Sequence, residues 1–372
     1  MNILFIGPYR QNDEWGRKSL DMLYTLKQSG HSITSRPIFL SNNIDYAQFE
    51  ELSEHVVNDT YDIVIQFVLQ PFATYVGGAK NIGVFNYDTV PTNIPWCELS
   101  KEALMDEIWT ENLNVKKSLE SLFTRYNINT KVKHISPSIN TLSLPPKDAV
   151  ELENRNPELN NKFIFYYIGN PLDSKDGFQE AFIAYINTFT SKDDVAFMIF
   201  PELLVEQQEL TKLFEKCKAY IGNLTSTQDQ AMVKVEMPSQ GRWSDIQRIK
   251  LHLYGDVLVS PSYNVCGHSS VLEAAIYGNM PIINDLNSVY SFLGEDNAWG
   301  IKSFEETCLY KDRPLPFRFT GGECWHKPSI KSIGQQMYEC YINKFKRDQK
   351  IKCNSKLRER FERITYPLSS KE

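Results

Sequence analysis

The heptapeptide FIFYYIG, residues 163–169, is apolar or aromatic without a break, and after a short polar loop the amphipathic run GFQEAFIAYINTF follows it. Alternate side chains of a strand point to opposite sides, so an unbroken apolar strand needs cover on both faces. Helices on either side of a parallel sheet supply that cover. The pattern recurs through the chain. In the first part NILFIG, the helical KSLDMLYTLKQSG, HSITSRPIF, YDIVIQFV, NIGVFNY, DEIWTEN, the helical NVKKSLESLFTRY and KVKHISPS succeed one another. In the second, the run beginning KFIFYYIGN leads to VAFMIF, helical EQQELTKLFEKCKAYIG, MVKVEM, helical SDIQRIKLHLYG, DVLVSPS, a short helix through VLEAAI, and MPIIND. Such alternation specifies parallel sheets with right-handed crossovers, so the expected class is α/β with two doubly wound halves.

A chain of 372 residues exceeds one ordinary core and suits two domains. Between Leu142 and Lys162 the sequence turns polar, LSLPPKDAVELENRNPELNNK, with no apolar periodicity, and this is the expected linker. The expected domains are residues 1–150 and 151–335. Helical stretches over Lys331–Asp348 and Ser355–Arg363 suggest that 336–372 forms C-terminal helices packing back on the first domain. Open α/β sheets bind ligands outside the carboxyl ends of their strands, which points to a cleft between two facing sheets. The loops that would line it are Gly7–Arg17, Gly169–Gly177, Met237–Trp243 and Ser260–Ser270.

Several function classes are disfavoured. The formal net charge is -6, so no global field draws nucleic acid, and the basic run KFKRDQKIK reads as a solvated helix face. The seven cysteines never fall in C-x-x-C spacing, and none of the six histidines sits in H-E-x-x-H or another metal-ligand spacing, so no metal is expected. No G-x-G-x-x-G, Walker A or G-x-S-x-G pattern occurs. MNILFIGPYR lacks the flanks of a signal peptide, and no apolar run is long enough to cross a bilayer; a reducing cytosol is the expected compartment.

The stretch SPSYNVCGHSSVLEAAIYGNMPIIN, Ser260–Asn284, carries the most chemistry. Ser269 or Ser270 can cap the helix there, whose first amides and dipole make an anion site suited to phosphate. Glu273 lies among Val271, Leu272, Ala274 and Ala275, and a carboxylate in apolar company needs a partner. A nucleotide supplies both parts, phosphates for the amides and ribose hydroxyls for Glu273; a surface lysine or the helix N-terminus itself are the alternatives. His268 stands at the mouth of this site and can donate to phosphate or sugar. In GNPLDSKDG, Lys175 can support a diphosphate or be a solvated turn lysine. Arg242 in SQGRWSD can pair with phosphate or belong to a structural loop. The first-domain loop offers Gly7 and Gly16 for close backbone approach, with Arg10 and Arg17 as cations.

GDVLVSPSYNVCGHSSVLEAAIYGNMPIIN resembles the nucleotide-sugar motif of GT-B glycosyltransferases, especially glycosyltransferase family 4. FIFYYIGNPLDSKDGFQEAFIAY looks like the family's strand-loop-helix in which a lysine near a glycine binds donor phosphate. NIGVFNYDTVPTNIPWCELSKEALMDEIWTENLNVKKSLES, SGHSITSRPIF and HISPSIN sit where the family has its first-domain landmarks, and the order holds over roughly residues 1–305. The resemblance implies two Rossmann-like domains facing a cleft and a retaining, metal-independent transfer from a nucleotide-sugar donor without a cofactor. It implies that Glu273 binds ribose, that Lys175 binds the diphosphate, and that amides from Gly267 through His268 and Ser269 to Ser270 hold phosphate or sugar. Gly7 with its loop, including Arg10 and Gly16, would approach the donor, and Asp88 and Thr89 would face the acceptor; His268 and Asp88 are the expected catalytic groups. Two positions depart from the family. Val265 stands where a first glutamate is usual, and Asn170, itself an expected donor contact, stands where an arginine is usual; Arg242, His268 and Arg10 are candidates for the missing charge. The acceptor stays open among glycans, lipid-linked acceptors, small hydroxyl compounds and, against the acidic charge, modified nucleic acid; peripheral membrane contact is compatible with each. A sugar-nucleotide 2-epimerase and a non-catalytic nucleotide-sugar or glycan binder share the expected architecture.

Overall fold

The computed structural model describes residues 1–11, 13–39, 53–54, 60–85, 87–90, 99–141, 144–146, 149–150, 157–221, 230–239, 243–307, 324–343 and 357–369. The chain divides into two units: Met1–Ser143 with Thr307–Cys324 and Glu359–Glu372, and Leu144–Glu306 with Trp325–Arg358.

In the first unit the elements run β1 (Asn2–Gly7), α1 (Glu14–Gln28), β2 (Ser32–Pro37), β3 (Ser53–Glu54), β4 (Ile63–Phe67), β5 (Lys80–Val84), β6 (Glu107–Thr110), α2 (Leu113–Tyr126) and β7 (Lys131–His134). The strands form one parallel sheet in the order β3-β2-β1-β4-β5-β6-β7. β4 and β5 are buried at every position, as strands covered on both faces must be. Helix α1 starts at Glu14, earlier than the periodicity from Lys18 suggests. Asp13 is its N-cap, and its carboxylate accepts the Gly16 amide at 2.9 Å. Gly16 and Arg17 therefore belong to the helix rather than to the loop expected over Gly7–Arg17. The C-terminal segment closes this unit's core. Tyr366 stacks on Trp109 with centroids 5.4 Å apart, and the Lys80 ammonium bridges Glu107 at 2.8 Å and the Ser369 carbonyl at 2.9 Å.

The second unit runs β8 (Phe163–Gly169), α3 (Phe178–Thr188), β9 (Val195–Pro201), α4 (Gln207–Ile221), β10 (Met232–Val235), α5 (Asp245–Tyr254), β11 (Val257–Ser260), α6 (Ser269–Ile276), β12 (Met280–Asn284), α7 (Ser288–Leu293), β13 (Trp299–Ile301), β14 (Ser303–Thr307), β15 (Cys324–Pro328) and α8 (Ile330–Ile342). α9 (Leu357–Glu362) spans the boundary between the units. Its parallel sheet is ordered β10-β9-β8-β11-β12-β13, and β14 pairs with β15. α3 is buried almost all round, by the sheet on one side and by α4 and α8 on the other: Phe178, Phe182, Tyr185 and Ile186 share one core with Leu213, Ile333 and Met337. Helix α8 thus counts with the second unit, and within the 336–372 stretch only residues from Glu359 onward count with the first. β13, β14 and β15 had no sequence signal. β13 has three residues, and the exposed pattern of β14 carries no apolar alternation.

Candidate functional site

In the second sheet the chain order runs outward from β8 to β9 and β10 on one side and from β11 to β12 and β13 on the other. The order therefore reverses between β8 and β11. A reversal parts the loops that leave two neighbouring strands and opens a crevice at their carboxyl ends. The loops from these strands are Asn170–Gly177 and Pro261–His268, two of the stretches singled out from the sequence.

The two loops are laced together by backbone. The Lys175 carbonyl accepts the Tyr263 amide at 2.8 Å and the Ser262 hydroxyl at 3.3 Å. Gly177 has φ +71°, and a Cβ there would lie 2.0 Å from the Pro261 carbonyl oxygen, so only glycine fits. The first loop is wound on its own carboxylates. Asp173 accepts the Lys175 amide at 3.0 Å, and Asp176 accepts the Asn170 amide at 2.8 Å. Burial first of all lifts the Asp176 carboxyl to about 6; Asp173 and Glu202 add to this, and His268 and the Asn170 amide oppose it. Asp176 and His268 thus lie within electrostatic reach of one another. The Lys175 ammonium lies 3.9 Å from the Asp173 carboxylate and 5.5 Å from the centroid of the Trp325 ring.

The second loop is fastened to the start of α7. Asn287 donates to the Cys266 carbonyl at 2.9 Å and caps α7 by accepting the Val289 amide at 2.9 Å, while the Ser288 amide reaches the Val265 carbonyl at 2.8 Å. The Gly267 amide donates to the Ser288 hydroxyl at 2.8 Å. That amide is consumed inside the protein, so of the run from Gly267 to Ser270 expected to meet an anion, Gly267 has its donor already engaged. The helix cap also differs from expectation. His268 occupies the N-cap of α6, extended and without a side-chain cap bond, and Ser269 and Ser270 are the first two helical residues. Their amides lie in the first turn, where no carbonyl of the same helix precedes them.

Glu273 finds its partner within the fold, and it is not a surface lysine. Arg248 on α5 grips both oxygens, Nε to Oε2 at 2.7 Å and Nη2 to Oε1 at 2.8 Å, and His252 one turn later reaches Oε2 at 3.2 Å. The residue is 3% exposed. Burial pushes its acidity one way, but Arg248 and His252 outweigh burial and hold the carboxyl well below the usual range. The network continues inward: His252 Nδ1 meets the Tyr166 hydroxyl at 2.9 Å, and Asn279 donates to that hydroxyl at 2.9 Å. Among the described residues Oε2 has two donors and Oε1 has one, which leaves Oε1 with acceptor capacity to spare.

The remaining expected residues are distributed as follows. Asn170, Lys175, Gly267, His268, Ser269, Ser270 and Glu273 all lie in the second unit, on the loops after β8 and β11 and on α6. Arg242 lies outside the described residues. Gly7, Arg10, Gly16, Asp88 and Thr89 belong to the first unit, where β1 and β4 are the pair at which strand order reverses. Gly7 ends β1, and a Cβ there would meet the Ser19 hydroxyl at 2.4 Å; one on Gly16 would meet the Gln11 carbonyl oxygen at 1.8 Å. Both glycines serve a close approach within the fold itself. Arg10 is half-buried, and Asp88 and Thr89 follow β5, with Thr89 6% exposed. Sequence reasoning missed Arg248, His252, Asp176, Asn287, Ser288 and Trp325. Arg248 and His252 did leave a signal: two polar residues at helical i, i+4 spacing beside Ile249 and Leu251 mark a polar seam on an otherwise apolar face.

Among the described residues no cluster of His, Cys, Asp and Glu is arranged to hold a metal, and no helix is long and apolar enough to cross a membrane.

No family model and no curated protein matches the sequence. Solved structures do match in fold. The chain is similar to the apo structure of OtsA, 11% identical over 98% of this chain and 100% of that one at a TM-score of 0.62. It is also similar to sucrose-phosphate synthase from Thermosynechococcus elongatus, 10% identical over 98% and 94% at 0.59. A trehalose-6-phosphate structure from E. coli bound with UDP-2-fluoro glucose is 12% identical over 98% and 100% at 0.56. At these identities the likeness concerns the fold, and that fold, two parallel-sheet α/β units in one chain, is GT-B.

Proposed function

We propose that the chain is a glycosyltransferase that moves a sugar from a nucleoside-diphosphate sugar to a hydroxyl acceptor, with retention at the anomeric carbon. One observation carries this reading. At the strand-order reversal of the second sheet, Lys175, whose side chain is only 15% exposed, donates no hydrogen bond from its ammonium to any described residue. It shares that carboxyl edge with the first turn of α6. A diphosphate supplies acceptors for both. The fold similarity to a structure bound with UDP-2-fluoro glucose is consistent with a nucleotide sugar as the ligand.

In this reading Lys175 and the amides of Ser269 and Ser270 hold the diphosphate, with Asn170 alongside, and the unused acceptor capacity of Glu273 Oε1 takes a ribose hydroxyl. As the bond from anomeric carbon to diphosphate oxygen breaks, its electron pair leaves with the nucleoside diphosphate. A preorganised ammonium and helix dipole stabilise that growing charge more than they stabilise the ground state, which is what lowers the barrier. The acceptor oxygen bonds to the same carbon on the same face and gives up its proton to the departing diphosphate oxygen. Asp88 and Thr89 are the proposed acceptor contacts, Asp88 and His268 the proposed catalytic groups, and Gly7, Arg10 and Gly16 the proposed first-unit contributors. The positive field comes from the protein's own groups, so the scheme assigns no role to a metal or cofactor.

The test is incubation with a panel of uridine and guanosine diphosphate sugars, with and without candidate acceptors, followed by chromatography. Acceptor-dependent release of free nucleoside diphosphate is the expected result. An epimerised donor identifies an isomerase instead, and a thermal shift without turnover identifies a binder.

A further inference from the structure

Lys175 sits on a single 3-10 turn, Ser174–Asp176, and its backbone is pinned by Tyr263 and Ser262. Its side chain makes no hydrogen bond to any described residue. An ammonium carries three N–H donors, and covering it without acceptors is unfavourable unless something else faces it. What faces it is the indole of Trp325, itself 3% exposed, with the ammonium 5.5 Å from the ring centroid. β15 brings the indole there. Asn284, at the end of β12, donates to the His326 carbonyl at 3.0 Å, and Lys327 pairs across to Glu306 of β14 at 3.3 Å. Lys327 in turn lies 6.0 Å from the ring centroid of Tyr263, the residue whose amide holds the Lys175 carbonyl. β15 thus reaches Lys175 at both ends, its ammonium through Trp325 and its backbone carbonyl through Lys327 and Tyr263.

We propose that Trp325 is a positioning residue for the anion contact of Lys175, holding the ammonium over its ring at the carboxyl edge of the sheet so that its donors stay available to a diphosphate. The π face attracts the cation without occupying a single N–H, whereas a carboxylate in the same place would take the donors and add a competing negative charge. Asp173, the carboxylate within reach, stands off at 3.9 Å, beyond hydrogen-bond distance. This inference rests on the functional reading above, because it takes the donor diphosphate as the anion.

The test has two arms on the full chain. In the first, lysine labelled with carbon-13 at the ε position is observed by NMR, with the Lys175 signal assigned by its loss in K175R. A ring-current displacement of that signal that vanishes in W325L is expected; an undisplaced signal in the wild type overturns the proposal. In the second, uridine diphosphate, guanosine diphosphate and inorganic pyrophosphate are titrated into wild type, K175M, W325L, W325F and K175M/W325L, each first shown to be folded by its thermal transition. W325L is expected to weaken binding by about 5–30-fold, the range a desolvated cation–π contact covers, with W325F intermediate. Once Lys175 is gone, W325L should change nothing further, because its effect passes through the ammonium. Additive losses would mean that Trp325 merely supports the fold, and the proposal fails. If the wild type binds none of the three probes, the functional reading fails and the anion role of both residues with it, while the NMR arm still reports whether the contact exists.

Discussion

Replacing Arg248 by methionine tests the interior of the site most severely. The change removes the Arg248 partner from Glu273, which is 3% exposed, and leaves the carboxylate with His252 alone. Breaking one side of a buried ion pair costs about 3–5 kcal/mol, because the survivor stays charged in a poor solvent. For a unit of this size each kcal/mol moves the midpoint by roughly 2–4 °C, so R248M should lower the second unit's thermal transition by about 6–20 °C. Replacing both partners, R248M/E273L, removes the stranded charge and should recover most of that loss. The double variant then separates two roles of Glu273. If its Oε1 takes a ribose hydroxyl, the refolded double variant still binds nucleoside diphosphate about 10–150-fold more weakly, the equivalent of one hydrogen bond to a charged group. Calorimetric melting and titration calorimetry give both numbers. An R248M transition within about 1 °C of wild type would refute the stability argument. Wild-type affinity in R248M/E273L would confine Glu273 to holding α6 against α5.

The carboxyl groups give opposite pH signatures. Glu273 is more acidic folded than its ordinary 4.5, so its stabilisation is complete above that value and is lost as pH falls below it; E273Q should flatten the acid limb of a pH–stability curve. Asp176 is less acidic folded, about 6 against 3.8, so acidifying from pH 7 to 5 relieves it; D176N should raise the melting point at pH 7.5 and remove the rise that the wild type shows on acidification, and no change sinks that reading. G177A forces a side chain into the left-handed region and onto the Pro261 carbonyl, and should abolish nucleoside-diphosphate binding in titration calorimetry while the first unit's transition is kept. Y366A removes the ring stacked on Trp109 and should lower the first unit's stability by about 3–5 kcal/mol in urea unfolding, whereas a loss below about 1 kcal/mol would show that the C-terminal segment adds little to that core.

Strands β1, β8, β9 and β11 were legible because each is short, largely apolar and followed by a helix with its own period; β8 and β9, buried at nearly every position, show why no alternation could be expected of them. The start of α1 was not legible from apolar spacing, since a side-chain cap at Asp13 decides it and the first turn carries Trp15 and Gly16 rather than an apolar repeat. β14 and β15 escaped for a different reason. Their pairing joins distant segments through backbone bonds that leave no composition signal. At the site, the loops after β8 and β11 and the inward carboxylate of Glu273 could be read from local sequence. Their partners could not, because Arg248, His252 and Trp325 approach from other elements.

Those partners divide the polar groups around α6 into two systems with different physics. Beneath α6, Glu273, Arg248, His252, Tyr166 and Asn279 bond one another in the interior, and among the described residues one acceptor position on Glu273 remains. At the carboxyl edge, Lys175 faces a ring and donates no hydrogen bond to any described residue, and burial holds the Asp176 carboxyl less acidic than usual close to His268. A closed network fixes geometry, and an open one needs a ligand to complete it. The binding energy of an arriving anion is therefore spent at the edge, on groups whose positions the interior network has already set, and little of it is lost to ordering the protein. The order of sensitivity follows: substitutions in the closed network act first on melting and only then on affinity, while replacing Lys175, whose charge is not tied into that network, acts on affinity at nearly constant melting temperature. A K175M variant that melts far below the wild type would place Lys175 in the wrong system and undo this division.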